Sequence, residues 1–301
     1  MTSFIDPSIS RKSSYVDGAF SLSGAGMPLP SVVEVSESGT CNRTCSFCPR
    51  SSSDYPDVKE FIVPGLLDKL TSELETEGFC GVLLFSGFVE PMLDKNIYDL
   101  ISLARKNLSK ARIELVTNGD TLNDEKIRKL FKHGLNTILI SVYDSAEDAE
   151  RFENLCKDAG LSEDQFVVRH RYLPEEQSFG ISLSNRAGMM ENAEYSIATL
   201  RQSLEEPCYY PHYTFFMDYT GEVLLCPHDW GKKLIVGNMQ NQSFMEIWLG
   251  DEMMESRRRL YEKDRCFEPC AGCDARGDLM GAKHAKAWRN FEQAHPKNNI
   301  P

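Results

Sequence analysis

The chain has 301 residues, with 33 Lys and Arg against 45 Asp and Glu, for a formal net charge of −12. That balance makes it a poor nucleic-acid or anionic-membrane binder. At 26% charged and 41% hydrophobic residues it reads as globular, not disordered. No stretch approaches the roughly 18 apolar residues of a membrane span. The start, MTSFIDPSISRKSSYVDGAF, lacks the apolar core of a signal peptide. A cytoplasmic protein is expected, with no membrane and no nucleic acid among its partners.

Residues 1–30 are Ser-rich with Gly and Pro, an extension expected to hold little regular structure, from which Tyr15 and Phe20 can pack on the rest. From residue 31, apolar β-type runs alternate with helical patterns. A strand is expected at 31–38, then a helix at 64–77 with Leu66, Leu67, Leu70 and Leu74 on one face. A buried strand follows at 81–86, then a helix carrying Ile97, Leu100, Ile101, Ala104 and Leu108. Next come strand 111–117, helix 124–133, strand 136–142, helix 146–159 and strand 165–172. Such alternation implies right-handed βαβ units and a parallel sheet. Five clear units, with a sixth strand available near 181–183, suit an α/β fold built as a partial (βα)6 TIM-like barrel. The pattern breaks near 184–207. A hairpin is expected over 213–226 around Thr220-Gly221, a helix at 243–260, a Cys-rich loop, and a polar helix near 278–294.

Ten cysteines in a chain of this kind point to metal or catalysis, since a disulfide scaffold would be shorter and denser in Cys. Cys41, Cys45 and Cys48 lie in GTCNRTCSFCPR just after the first strand, at the sheet end where barrel catalytic loops gather. Three thiolates from one loop leave two readings. A distant residue completes a zinc site, or one iron of a four-iron cluster stays open for chemistry. Cys208 and Cys226 bracket the hairpin, and Cys266, Cys270 and Cys273 follow in CFEPCAGC. A hairpin pair plus a CxxC loop makes a closed four-thiolate site, for zinc or for iron–sulfur. Cys80 and Cys156 read as buried small hydrophobes. His212, His228 and Asp229 flank the second set, either to meet substrate or as ordinary loop residues holding the ligands. Arg169, His170 and Arg171 alternate on the fifth strand, and the set that faces inward would line a pocket.

The CxxxCxxC spacing, with Phe47 before its last Cys, resembles the signature of the radical S-adenosylmethionine (radical SAM) superfamily. Other segments match in order. Ser86-Gly87-Phe88-Val89-Glu90-Pro91 is similar to the family's glycine-rich segment that receives the SAM amino group, with Val89 where a glycine is common. Thr117-Asn118-Gly119 resembles the ribose-contacting segment. Ser141 stands where a polar ribose or carboxylate contact is usual, and Asn185-Arg186-Ala187-Gly188 resembles a segment that reaches the SAM carboxylate. The resemblance covers about residues 31–190. It implies that Glu90 accepts from the SAM ammonium and that Arg186 pairs with its carboxylate.

The hairpin, Val236-Gly237-Asn238-Met239 and Phe244-Met245-Glu246-Ile247-Trp248 resemble the SPASM extension of radical SAM enzymes in its shortened twitch form. This implies one auxiliary [4Fe–4S] cluster held by Cys208, Cys226, Cys270 and Cys273. Cys266 is left over as a spare ligand, an inert thiol or a catalytic hydrogen-atom donor. The implied division is an extension (1–30), the radical SAM barrel (31–206), a small C-terminal hairpin and helix unit that binds a cluster (207–276), and a C-terminal helix and tail (277–301). The implied enzyme is a radical SAM oxidoreductase or epimerase. It cleaves SAM reductively to a 5′-deoxyadenosyl radical and takes hydrogen from a C–H bond of a small polar substrate, sugar-like or aminocyclitol-like. An external reductant such as flavodoxin or ferredoxin is expected. The alternatives are a peptide-modifying maturase and a non-catalytic zinc-binding protein.

Overall fold

The computed structural model describes residues 7–172, 184–191 and 198–295. It begins with a helix, α1 (Pro7–Gly18), where little regular structure was expected. A Ser-rich polar segment has weak intrinsic helicity. Its order comes from docking: Val16 is fully buried, and Arg11 pairs with Glu114 of a distant strand.

The expected alternation follows. Strand β1 (Val32–Ser36) leads to a short hairpin of β2 (Ser38–Gly39) and β3 (Val58–Phe61), then to α2 (Pro64–Thr76), β4 (Val82–Phe85) and α3 (Ile97–Asn107). Strand β5 (Arg112–Thr117), α4 (Asp124–Lys132), β6 (Thr137–Val142), α5 (Ala146–Asp158) and β7 (Phe166–His170) complete the run. Helices α4 and α5 start where side chains cap them. Asn123 accepts the Lys126 N–H, Ser145 accepts the Asp148 N–H, and both first turns are acidic. The sixth strand expected near 181–183 lies outside the described residues.

The C-terminal part adds α6 (Tyr210–Tyr213), the hairpin β8 (Thr214–Asp218) and β9 (Glu222–Leu224), and β10 (Ile235–Asn238). Three helices follow: α7 (Phe244–Trp248), α8 (Asp251–Tyr261) and α9 (Ala282–Ala294). The single helix expected over 243–260 is two, because Gly250 adopts an extended conformation (φ −60°, ψ 149°) and caps α8. All strands except β2 and β3 form one open sheet of order β10-β9-β8-β1-β4-β5-β6-β7. Strands β8, β1, β4, β5, β6 and β7 run parallel, and β9 runs antiparallel to its two neighbours, β8 and β10. The cysteine-bearing hairpin therefore extends the barrel sheet itself, through β8 beside β1.

The two faces of the sheet divide by alternation. Val33, Leu83, Ile113 and Ile140 pack in the main core with the helices. Glu34, Leu84, Glu114 and Thr137 sit side by side across four strands, and the first three line an internal cavity. Cys156 is buried as expected, whereas Cys80, in the turn before β4, is exposed. Among the described residues no helix is long and apolar enough to cross a membrane.

Candidate active site

A cavity of about 430 Å³ runs from the Cys41–Cys48 loop to α1. Cys41, Cys45 and Cys48 all line it, together with Phe47, Ser86, Gly87, Glu90, Thr117, Asn118, Ser141 and Arg186. Residues that the sequence scatters over more than 140 positions thus share one space. Arg169 and Arg171 also line it, and His170 points away and is exposed. This settles the register of β7.

Two arginines that the sequence reading passed over fix the cysteine loop. The Arg50 guanidinium is buried and donates to Phe88 O (2.6 Å), Gly39 O (2.8 Å) and Asp57 Oδ1 (3.1 Å). Arg43 spans Asp120 (2.6 Å) and Asp144 (2.7 Å), beyond the ends of β5 and β6. Planar, two-ended pairing of this kind specifies geometry as well as energy.

Gly87 has φ +102°, and a Cβ there would lie 3.0 Å from Ser36 Cβ and 3.1 Å from the Phe216 ring. Only glycine lets this turn pass so close to β1. The Ser36 hydroxyl then accepts the Phe88 N–H at 3.1 Å. Glu90 follows, buried, and is already held. It accepts from Thr117 Oγ1 (2.6 Å), the Asn118 N–H (2.7 Å) and the Met92 N–H (3.0 Å). Burial pushes its pKa up, and these donors pull it down. Thr117 and Asn118, read singly in the sequence, act here as the clamp on Glu90. Asn118 also reaches Asn42 in the cysteine loop through its Nδ2 (2.7 Å).

Arg186 and Ala187 carry the left-handed φ values 48° and 54°. Such conformations cost energy outside glycine and persist where their surroundings impose them. Here Asn185 imposes them: its Nδ2 donates to Gly272 O (2.6 Å), and its own N–H meets Asp274 (2.9 Å). The Arg186 Nε is buried and has no partner among the described residues, and its guanidinium stands 5.9 Å from the Trp230 ring centre. A buried donor without an acceptor fits a carboxylate brought by a ligand.

Cys208, Cys226, Cys270 and Cys273 are buried and line a second, smaller cavity. Beside it lies Arg265, 2% exposed, whose guanidinium meets only carbonyls among the described residues: Glu206 O, Ala275 O and Pro207 O. A buried cation without a carboxylate needs negative charge nearby. Four thiolates around an iron–sulfur core supply it, so the residues present fit that group. Gly277 is part of the same cradle, since a Cβ there would fall 2.1 Å from Cys208 Sγ. Neither Arg265 nor Gly277 has a signal in the sequence. Among the described residues no three candidate ligands close around a single-ion position; the thiols stand around cavities instead.

Tyr210 and His228 line both cavities. Burial, followed by the charges of Arg186 and Lys12, pushes His228 down to about 3, so a neutral imidazole occupies this wall. His212 is buried elsewhere, with its carbonyl accepting from Trp288 Nε1 (3.0 Å). Asp229 caps the Lys233 and Leu234 N–H groups, both at 2.9 Å. Cys266 is exposed and lines neither cavity.

A family model for the radical SAM superfamily matches residues 36–189, half of the chain. The chain belongs to the radical SAM superfamily. A second model, of an iron–sulfur cluster-binding domain named SPASM, matches residues 208–274. This radical SAM enzyme therefore uses S-adenosylmethionine and [4Fe–4S] clusters, and it is an oxidoreductase that acts through hydrogen abstraction. It is 27% identical over 245 residues to the S-adenosyl-L-methionine-dependent 2-deoxy-scyllo-inosamine dehydrogenase of Niallia circulans, covering 81% of this chain and 92% of that protein. The crystal structure of BtrN in complex with AdoMet and 2-DOIA is similar over 83% of this chain and 95% of that one (TM-score 0.69, 25% identity). SuiB of Streptococcus suis, bound to its precursor peptide SuiA, shares the fold at TM-score 0.56 and 15% identity, over 76% of this chain and 67% of that one.

Proposed function

We propose that this radical SAM enzyme oxidises an alcohol of a small aminocyclitol-like substrate to a ketone. Cys41, Cys45 and Cys48 hold the SAM-binding cluster. Cys208, Cys226, Cys270 and Cys273 hold one auxiliary cluster, in a segment of the shortened twitch kind. When bound, these groups supply a hydrogen-abstracting 5′-deoxyadenosyl radical at the first site and a one-electron acceptor at the second. The chain does the rest. Glu90, fixed by Thr117 and Asn118, accepts from the SAM ammonium. Arg186 offers its unpartnered guanidinium edge to the SAM carboxylate. Ser86, Gly87 and Ser141 border the nucleoside, and the cavity walls shelter the reacting carbon.

One observation carries the choice of oxidation over epimerisation: Tyr210 and His228 line both cavities, so the two thiol sets border common residues. An auxiliary cluster held by the second set would stand next to the substrate cavity as an electron acceptor. Epimerisation needs a hydrogen-atom donor in the cavity, and Cys266 is exposed outside it. The substrate class is supported by the Niallia circulans relative, whose name gives 2-deoxy-scyllo-inosamine. An external one-electron reductant of the flavodoxin or ferredoxin kind completes the system, in a cytoplasmic setting.

The test is anaerobic reconstitution, then incubation with SAM, reductant and 2-deoxy-scyllo-inosamine in D2O. A new carbonyl supports oxidation. Deuterium in a recovered, stereoinverted alcohol overturns it in favour of epimerisation.

A further inference from the structure

Helix α1 lines the cavity that the cysteine loop also lines. The Ser31 hydroxyl donates to Val16 O (3.0 Å), and Val16 packs with Val32, Tyr213 and Met280. Arg11 grips Glu114 with both terminal nitrogens, at 2.6 and 3.0 Å. The next residue, Lys12, faces the cavity. Its Nζ lies 4.9 Å from the Tyr210 ring centre and 5.7 Å from that of Tyr213. Among the described residues it makes no hydrogen bond and no ion pair. Glu34 projects from β1 into the same space, and each of the two charges feels the other.

Lys12 shares with Arg186 the want of an acceptor among the described residues. Arg11, Arg43 and Arg50 also line the cavity, and each is committed to carboxylates or carbonyls. Lys12 is held only over ring faces. An ammonium on a cavity wall with no acceptor is costly unless whatever fills the cavity supplies one. The two family models begin at residues 36 and 208, so neither includes α1 or Glu34.

We propose that Lys12 and Glu34 form the substrate-recognition floor of the cavity and set its specificity. Lys12 donates to a ring hydroxyl oxygen. Glu34 accepts from an adjacent ammonium or hydroxyl. The pair reads one acceptor and one donor side by side on a polyol ring. This deepens, and rests on, the aminocyclitol reading of the site. Lys12 is a substrate-contacting residue, supplied by a segment whose sequence promises little regular structure.

The full-length reconstituted holoenzyme tests this in two arms. In the first, initial rates of ketone formation are measured on 2-deoxy-scyllo-inosamine, 2-deoxystreptamine and scyllo-inositol, for the wild type, K12M and K12R, with iron content checked for each. Loss of a charged donor is expected to raise KM about ten- to a hundredfold in K12M. K12R, which keeps the charge, recovers part of that loss. An unchanged KM in iron-replete K12M overturns the proposal. The second arm needs no substrate: the holoenzyme is dimethylated with formaldehyde and cyanoborohydride and read by peptide mass. Lys12 is expected to react, since its amine faces an open cavity. If it stays unmodified while the exposed Lys157 reacts, its placement is wrong. A wild type inert on all three compounds overturns the aminocyclitol reading, and the dimethylation result then decides Lys12 on its own.

Discussion

The Glu90 carboxylate, in the loop after β4, accepts the backbone N–H of Asn118 just past the end of β5, at 2.7 Å. The bond ties two neighbouring strand ends into one receptor and leaves the carboxylate poised before any ligand arrives. Glu90→Gln puts an amide where three donors converge, so one N–H meets another. SAM affinity is expected to fall at least about tenfold, the worth of one charged hydrogen bond. Equilibrium binding of SAM to the reconstituted variant checks this, and unchanged affinity removes Glu90 from the site.

The two thiol sets predict separable losses of metal. Cys45→Ala is expected to abolish 5′-deoxyadenosine formation, because the first site then has two thiolates. Cys270→Ala is expected to remove about four irons while those of the first site remain. Iron analysis and electron paramagnetic resonance distinguish the two. Zinc in place of iron at the second site contradicts the assignment.

Cys266→Ala is expected to retain full turnover, because the thiol is exposed and lines neither cavity. A variant that still cleaves SAM in the presence of substrate but forms no product points instead to hydrogen return by this thiol.

Arg43→Ala removes both ion pairs that moor the cysteine loop to Asp120 and Asp144. All three side chains are partly exposed, so the cost to global stability is about 1 kcal/mol or less. The larger effect is local, with faster loss of iron from the first site on dilution than in the wild type. Equal retention dismisses the mooring role.

His284 gives the fold a pH dependence remote from the thiols. Its ring meets Ser31 Oγ at 2.7 Å, and burial, followed by Lys283, pushes its pKa down to about 4. Unfolded, it titrates near 6.5, so the unfolded chain takes the proton first. The stability this group contributes is complete above about pH 6.5 and is lost as pH falls towards 4, up to about 3 kcal/mol in all. Urea midpoints at pH 7 and 5 should differ more in the wild type than in His284→Gln.

The parts of the fold legible in the sequence were those with a strong period. Leu66, Leu67, Leu70 and Leu74 marked α2, and all four are buried in it. The cysteine spacings and the strand-end segments from Ser86 to Arg186 also pointed to one place, because parallel strands bring their C-terminal ends together. What escaped was held by tertiary contacts alone. Helix α1 is ordered by Val16 and Arg11 on partners far along the chain. The clamp of Thr117 and Asn118 on Glu90 depends on strand register. Glu34 did leave a trace, an acid inside the apolar run SVVEVSES, which is expensive to bury without purpose.

Strand β1 lies between β4 and β8, and β8 is about 180 residues further along the chain, a separation that slows folding. During synthesis the first strand therefore waits, one side unpaired, until nearly three-quarters of the polypeptide has left the ribosome. An unpaired edge of that kind invites aggregation. The two thiol-bearing regions are thus poor candidates for separate expression or for transplanting onto other scaffolds. Heterologous production should favour slow, cool growth of the intact chain, with iron and sulfide delivered after the sheet has closed.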